Sequence, residues 1–317
     1  MTKQYIIATH NGAFHADDVV GVGILAALFD VSDILRTRDA ALIAKADFAV
    51  DVGGVWDPKT GRFDHHQKGF EGQRDNGTVY ASAGLVWAAH GKAYICKLAP
   101  ELSDDLVMKV FEGIDREFME HVDRADTGAA QGAPDFFGIS ALIASFNITR
   151  QEEQSHHQAY GGRPDTNKVL SENFRMDRFT EATRVVQRLL ARLVAQFSAQ
   201  YADEAIVRNA PRLEGGKVLL VEHAGLVWEG VVIQEMPEVL FVVYPDSTDQ
   251  QFQVRTVPVK VGSFTARKDL PASWAGLRDA DLAAVTGVED AVFCHNGRFI
   301  GGAGSKNGAL RMAQLAL

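Results

Sequence analysis

The sequence predicts an α/β protein, with a parallel-sheet N-terminal domain flanked by helices, a long linker helix, and a smaller mixed α/β C-terminal domain. Three observations lead there. Near the start, short apolar runs alternate with helix-length segments, the grammar of a parallel sheet with crossover helices. Further on, Phe179, Val186, Leu190, Leu193 and Phe197 follow a three- and four-residue repeat, one apolar stripe of a single helix. Beyond that stripe the chain becomes strand-rich. A chain of 317 residues with 46% hydrophobic content can bury a large core and suggests two domains.

Taken in order, QYIIA (Gln4 to Ala8) reads as a short buried strand. The run DDVVGVGILAALF from Asp17 reads as a helix with Asp17 or Asp18 at its cap. DILRT (Asp33 to Thr37) is a second strand, AALIAKA from Ala40 a short helix, and DFAVDVG from Asp47 a third strand ending at Gly53. VWDPKTGRFDHH is a hairpin with its turn at Asp57 to Gly61. Helical stretches follow around Val79–Ala89 and Ser103–Asp123, and the polar segment Gln151 to Asn167 reads as a mobile loop. The expected division is residues 1–170 as metal-binding catalytic domain, 171–202 as linker helix and 203–317 as substrate-binding domain. VLLVEHA, PEVLFVVYP, FQVRTVPVKV and AVFCHNGRFIGG supply the strands of the last part.

Composition excludes several classes. The net charge of −9 argues against a surface that coats double-stranded DNA, because phosphate binding needs clustered Lys and Arg. Bound divalent cations would nonetheless make one cleft locally positive. Cys96 and Cys294 have no paired spacing, which argues against a disulfide framework and for a reducing, cytoplasmic compartment. The opening MTKQYIIATH has too short an apolar run for a signal peptide, and no stretch approaches the ~18 apolar residues that span a membrane.

The chemistry gathers in three motifs. In THNGAFHADD, His10 follows the first strand, and His15 and Asp17 lie before the helix. Asp51 ends the third strand. Ligands of open parallel sheets bind beyond the carboxyl ends of the strands, so these residues open onto one edge. FDHHQ adds Asp64, His65 and His66, and HVDRADTG adds Asp126, for which Asp123 is an alternative. His121, His156 and His157 read as surface. Mixed imidazole and carboxylate ligands suit Mn, Fe, Co or Zn better than Ca or Mg. His10, His15, Asp17, Asp51, His65 and Asp126 are too many ligands for one open catalytic ion, and two ions sharing a carboxylate use them more naturally. At the far end, FIGGAGSKNGALRMAQLAL places Gly301, Gly302 and Gly304 in a glycine-rich turn before a helix. Backbone N–H groups there could approach an anion, Ser305 could cap the helix, and Lys306 adds charge. Arg255 and His295 are further candidates.

THNGAFHADD, DVGGVWDPKTGRFDHH and VDRADTG resemble the melanocyte proliferating gene family, related to the DHH phosphoesterases. The likeness continues in VRTVPV, LPASWAGLRD and FCHNGRFIGGAGSKNGALRMA and is weak from about Ala130 to Asn167. It implies that His10, His15 and Asp51 hold one divalent ion and that Asp17, Asp51, His65 and Asp126 hold another, with Asp51 bridging. Manganese is the first expectation, ahead of Zn2+, Co2+ or Fe2+. The chain departs from the wider superfamily at His15, where an aspartate is usual. His66 would face substrate, and Asp64 would orient a neighbouring histidine. A hydroxide held between the ions would attack phosphorus in line. In the related enzymes the second domain grips the substrate phosphate, which points to Arg255, His295, Gly301, Gly302 and Lys306.

The function expected is therefore a metal-dependent phosphodiester hydrolase, an exonuclease on single-stranded RNA or short oligonucleotides. The end-directed nuclease part comes from the resemblance alone. The alternatives are a small phosphate-ester or pyrophosphate hydrolase, an amide or peptide hydrolase, and a non-catalytic module stabilised by metal. No membrane partner is expected, and a homodimer is admissible.

Overall fold

The computed structural model describes residues 3–129, 138–160, 163–248 and 250–317. The chain divides into two compact units, Met1–Ser198 and Ala199–Leu317.

In the first unit, strands β1 (Tyr5–Thr9), β2 (Val31–Arg36) and β3 (Phe48–Val50) alternate with helices α1 (Ala16–Leu28) and α2 (Ala40–Lys45). The hairpin follows as β4 (Trp56–Asp57) and β5 (Arg62–Phe63). The sheet order is β2-β1-β3-β5-β4, parallel except for the edge strand β4. Ile7, Ala8, Phe48, Ala49 and Val50 are all buried, the continuous apolar run of strands covered on both faces. The expected α/β grammar is the one observed.

Helix α3 (Ser82–Leu98) packs against α1. Gly21 lets α1 lie close on β3, since a Cβ there would come within 2.7 Å of the Val50 side chain, and it faces Val86 of α3 at 3.5 Å. Helix α4 (Asp104–Ile114) runs through a π turn (Asp115–Met119) into α5 (Glu120–Asp126), so the single helix expected near Ser103–Asp123 carries one wide turn. Then come α6 (Ile139–Ala144), α7 (Arg150–Tyr160) and α8 (Pro164–Arg208). The expected stripe is real: Phe179, Val186 and Leu190 are 0% exposed, and Phe14 meets Phe179 edge-on at 5.5 Å.

Two expectations need correction. The α1 cap is His15, not Asp17 or Asp18, and Asp18 reaches back from the third helical position to accept from the His15 N–H at 2.8 Å. The segment Gln151–Asn167 is not a loop in its described part. Residues 150–160 form α7, started by a reciprocal capping box: Glu152 accepts from the Thr149 N–H at 2.8 Å, and the Thr149 hydroxyl accepts from the Glu152 N–H at 3.2 Å. Residues 161 and 162 of that segment lie outside the described residues. His156 and His157 are not bare surface either. They stack on Phe174 at 4.8 Å and bond the Ser171 hydroxyl at 2.7 Å, joining α7 to α8.

The second unit holds β6 (Arg212–Leu213), β7 (Val218–Leu220), α9 (Glu229–Glu235), β8 (Phe241–Pro245), β9 (Phe252–Thr256), α10 (Asp279–Thr286), β10 (Ala291–Cys294), β11 (Ile300–Ala303) and α11 (Lys306–Ala316). Its mixed sheet runs β10-β11-β9-β8-β7-β6. Alternate residues of β8 enter two cores: Phe241 and Val243 join Val254, Trp274 and Met312, whereas Val242 joins Trp228, Val232 and Val257.

The glycine-rich turn also needs correction. Gly301 and Gly302 lie inside β11, paired with β9 on one side and β10 on the other. A Cβ on Gly302 would sit 2.8 Å from the Phe293 ring, so close packing explains the glycine. Ser305 does cap α11, accepting from the Gly308 N–H at 3.0 Å.

Candidate metal centre

The carboxyl ends of β1 and β3 lie side by side, paired at Thr9 and Val50, which delivers His10 and Asp51 to one spot. Asp51 turns the chain out of β3 with a positive φ of 55°. That is an uncommon conformation for a non-glycine residue, though aspartate tolerates it best. The β4–β5 hairpin sends Asp64, His65 and His66 back to the same edge, and α5 ends there with Asp126.

Two histidines are oriented alike. The Nδ1 atom of His10 is 3.1 Å from the Asn11 carbonyl, and that of His65 is 3.2 Å from the Ser82 hydroxyl. With Nδ1 engaged, each Nε2 turns to carboxylates: His10 to Asp51 at 3.4 Å, His65 to Asp126 at 3.2 Å. A hydrogen-bonded Nδ1 with Nε2 facing anionic oxygens is how proteins present imidazole to a cation. His10, His15 and Asp51 form one group whose ligand atoms lie within 4.8 Å of one another, and Asp17, His65 and Asp126 form a second. The carboxylate of Asp51 addresses both sides, Oδ2 towards His10 and Oδ1 towards His66 at 3.3 Å and His65 at 3.9 Å. All six expected ligands are thus drawn into one region.

Its electrostatics call for positive charge. Burial pushes the Asp17 carboxyl well above its usual range, reinforced by Asp51, Asp126 and Asp123. Asp18 is pushed up to about 7, again by burial. Although burial disfavours their cations, His10 is raised by Asp51 and Asp18, and His65 by Asp126 and Asp51. Buried carboxylates this close are tolerated when cations pair with them. The donor set fits borderline divalent ions, and the buried, unpartnered His10 Nε2 and Asp18 Oδ2 atoms mark where one is missing a contact.

Asp64 stands beside His66, the kind of neighbour it is expected to orient. It accepts from the Gly54 N–H at 2.6 Å and lies 2.8 Å from His66 Nδ1. Burial opposes its ionisation, yet these bonds hold its pKa below the ordinary carboxylate value. The His66 side chain is 62% exposed and lines a cavity of about 760 Å³ together with His10, His15, Asp51, Asp126 and Arg38.

Asp123 does not substitute for Asp126. It accepts from Arg74 at 2.7 Å and from the Gly84 N–H at 3.0 Å, inside the protein. Sequence reasoning missed Arg74, which also bonds Asp115 at 2.7 Å twice, and Ser82, whose hydroxyl links His65 to Asp51. Neither residue type carries a periodic or spacing signal, since both act through contacts remote in sequence.

The second-unit candidates have local partners. Arg255 pairs with Glu229 at 3.0 Å, and Lys306 with Glu222 at 3.1 Å. His295 Nδ1 accepts from the Gly297 N–H at 2.9 Å. Arg255 and His295 flank Ile300, the first by strand pairing and the second by a backbone bond of 2.9 Å.

A largely parallel sheet whose carboxyl edge gathers imidazole and carboxylate groups able to hold divalent metal is that of a metal-dependent hydrolase. The chain belongs to the MYG1 family: the MYG1_exonuc model, described as Uncharacterised protein family (UPF0160), matches residues 6–317. It is similar to a MYG1 protein of Caenorhabditis elegans, 32% identical over 335 residues, covering 98% of this chain and 95% of that one. The MYG1 exonuclease of Homo sapiens is 31% identical over 330 residues, covering 98% of this chain and 85% of that one. Among solved structures, the exonuclease RecJ bound to manganese aligns over 98% of this chain and 89% of its own, with 16% identity. The TM-score of that alignment is 0.24. No described helix is long and apolar enough to cross a membrane.

Proposed function

We propose that this protein is a metal-dependent phosphodiester hydrolase, an exonuclease acting on single-stranded RNA or short oligonucleotides with two divalent ions, manganese first among them. The observation that carries the reading is the Asp51 carboxylate, with one oxygen towards His10 and the other towards His65 and His66. His10, His15 and Asp51 would hold one ion, and Asp17, Asp51, His65 and Asp126 the other. When bound, such ions acidify water and neutralise charge that gathers on phosphate oxygens.

The chain's own residues supply the rest. Asp64 holds Nδ1 of His66, so that Nε2 is left for a substrate oxygen, and His66 donates a proton to the leaving group. Ser82 fixes the ring of His65 through Nδ1. In the second unit, Arg255, His295 and Lys306 remain the proposed phosphate contacts, whereas Gly301 and Gly302 are buried within β11 and paired on both sides. Phosphate contact requires exchange of a half-buried partner, Glu229, for Arg255 and of an exposed one, Glu222, for Lys306, which costs little at a surface. Exonuclease is the activity named for the human and mouse relatives, which supports a nucleic acid substrate.

The test strips metal with EDTA, restores Mn2+, and offers labelled RNA, pyrophosphate and casein in parallel. Manganese-dependent shortening of RNA from one end is expected. Hydrolysis of pyrophosphate alone would replace the nuclease reading with that of a small phosphate-ester hydrolase. Cleavage of casein alone would remove phosphoester chemistry, and metal-dependent melting without any turnover would point to a binding module.

A further inference from the structure

We infer that Asp18 is a direct ligand of the cation held by His10 and Asp51, an assignment that rests on the metal-dependent reading above. Asp18 is 0% exposed. Its two oxygens have separate tasks. Oδ1 accepts from the backbone N–H groups of His15 at 2.8 Å and Val19 at 3.0 Å, which fixes the start of α1. Oδ2 has no hydrogen-bond partner. It lies 3.3 Å from Nε2 of His10, which is also buried and also without a hydrogen-bond partner.

With Nδ1 of His10 turned to the Asn11 carbonyl, its Nε2 lone pair faces Asp18 Oδ2 and Asp51 Oδ2 together. With Nε2 unprotonated, three acceptor atoms so placed repel one another unless a metal cation stands among them; a proton on Nε2 would relieve the same repulsion, and metal displaces that proton when it binds. Two ligand atoms each about 2.1 Å from one ion are roughly 3.0 Å apart at a right angle and about 3.4 Å apart at the tetrahedral angle. The observed 3.3 and 3.4 Å separations match a shared ion. The Arg36 guanidinium lends Asp18 favourable charge but no hydrogen bond: its Nη2 donates to the Gly12 carbonyl at 2.6 Å, and its Nε and Nη1 have no hydrogen-bond partner. With Asp18 included, the first position has two carboxylates and two imidazoles. That donor set favours Mn2+ or Fe2+ more than a purely histidine site would.

Asp18→Asn is the informative variant, since its amide oxygen keeps both backbone bonds while an NH2 group replaces Oδ2. Isothermal titration of Mn2+ into the EDTA-stripped full chain is expected to show two ions for the native protein. In Asp18→Asn one of them should weaken at least about 100-fold. The metal-free variant should melt no lower than the metal-free native chain, since asparagine lacks the buried carboxylate's penalty, which excludes a folding defect as the cause. Two ions bound by the variant at native affinity would overturn the role of Asp18 and leave the hydrolase reading intact. A native chain that binds no Mn2+ would overturn both. Anomalous diffraction from manganese-loaded native crystals asks the same question without a substitution. A peak about 2.2 Å from Asp18 Oδ2 supports the assignment, and a nearest peak beyond about 3 Å overturns it.

Discussion

Asp17 accepts hydrogen bonds from the backbone N–H groups of Ser82 at 3.0 Å and Ala83 at 2.6 Å, so a carboxylate at the start of α1 caps α3. Ala81, at the cap position of α3, has no side chain able to do so. Asp123 takes the next N–H, that of Gly84. The end of α3 is thereby turned towards the centre, and Ser82 there meets both His65 and Asp51. The fold and the site share these atoms.

Removal of this cap should therefore cost stability and metal together. Asp17→Ala is expected to lower the unfolding free energy of the metal-free protein by about 1–2 kcal/mol, the usual value of a lost cap. It should also abolish binding of one ion. Urea denaturation with and without Mn2+ measures both. An unchanged midpoint in the absence of metal would contradict the capping role.

The raised carboxyl and imidazole groups predict an unusual pH dependence. The folded pKa of Asp18 is about 7, and that of Asp17 is also well above the usual carboxylate value, so between pH 4 and 7 the folded state holds protons that the unfolded state has released. Stability from these groups is present at low pH and lost as pH rises through that window. His10 and His65, also raised, lose their contribution in the same direction, above their unfolded value near 6.5. The metal-free protein should thus melt about 5 °C lower at pH 8 than at pH 5.5. Metal-loaded protein should gain stability as pH rises, because ligands must be deprotonated to bind. Paired melting curves across this range decide it, and parallel slopes with and without metal would contradict the account.

His66 should affect turnover more than metal content. His66→Gln is expected to lower kcat roughly 100-fold with two ions retained, the range for a lost proton donor. Asp64→Asn, which disturbs the bond to Nδ1 of His66, should slow the reaction and alter the alkaline limb of the pH–rate profile, where a proton donor loses its proton. Normal kcat in either variant would remove the proton-donor role.

Much of the first unit could be read directly. Strands β1 and β3 announce themselves by uninterrupted apolar residues, and the hairpin by its Asp-Pro-Lys-Thr-Gly turn. Asp51 could be placed because a strand end has a definite position in a parallel sheet. In sequence Asp18 reads only as a cap, and its full burial and an Oδ2 atom without a hydrogen bond become visible in the fold alone. Helix α7 was hidden by its polarity, since it buries no residue fully, although Thr149 and Glu152 carried the capping signal. Gly301 and Gly302 imitate a turn in sequence. The Phe293 ring crowds Gly302, and the Phe293 carbonyl with Leu270 and Met312 crowds Gly301, contacts that no local pattern encodes.

The central claim, one aspartate serving two cations, is tested most directly by counting manganese per chain in the native protein and in Asp51→Asn. Asparagine tolerates the left-handed backbone at this position, so the fold is spared. Elemental analysis after EDTA treatment, Mn2+ loading and desalting should give two ions for the native chain and none for the variant. Two ions in both proteins would contradict the account.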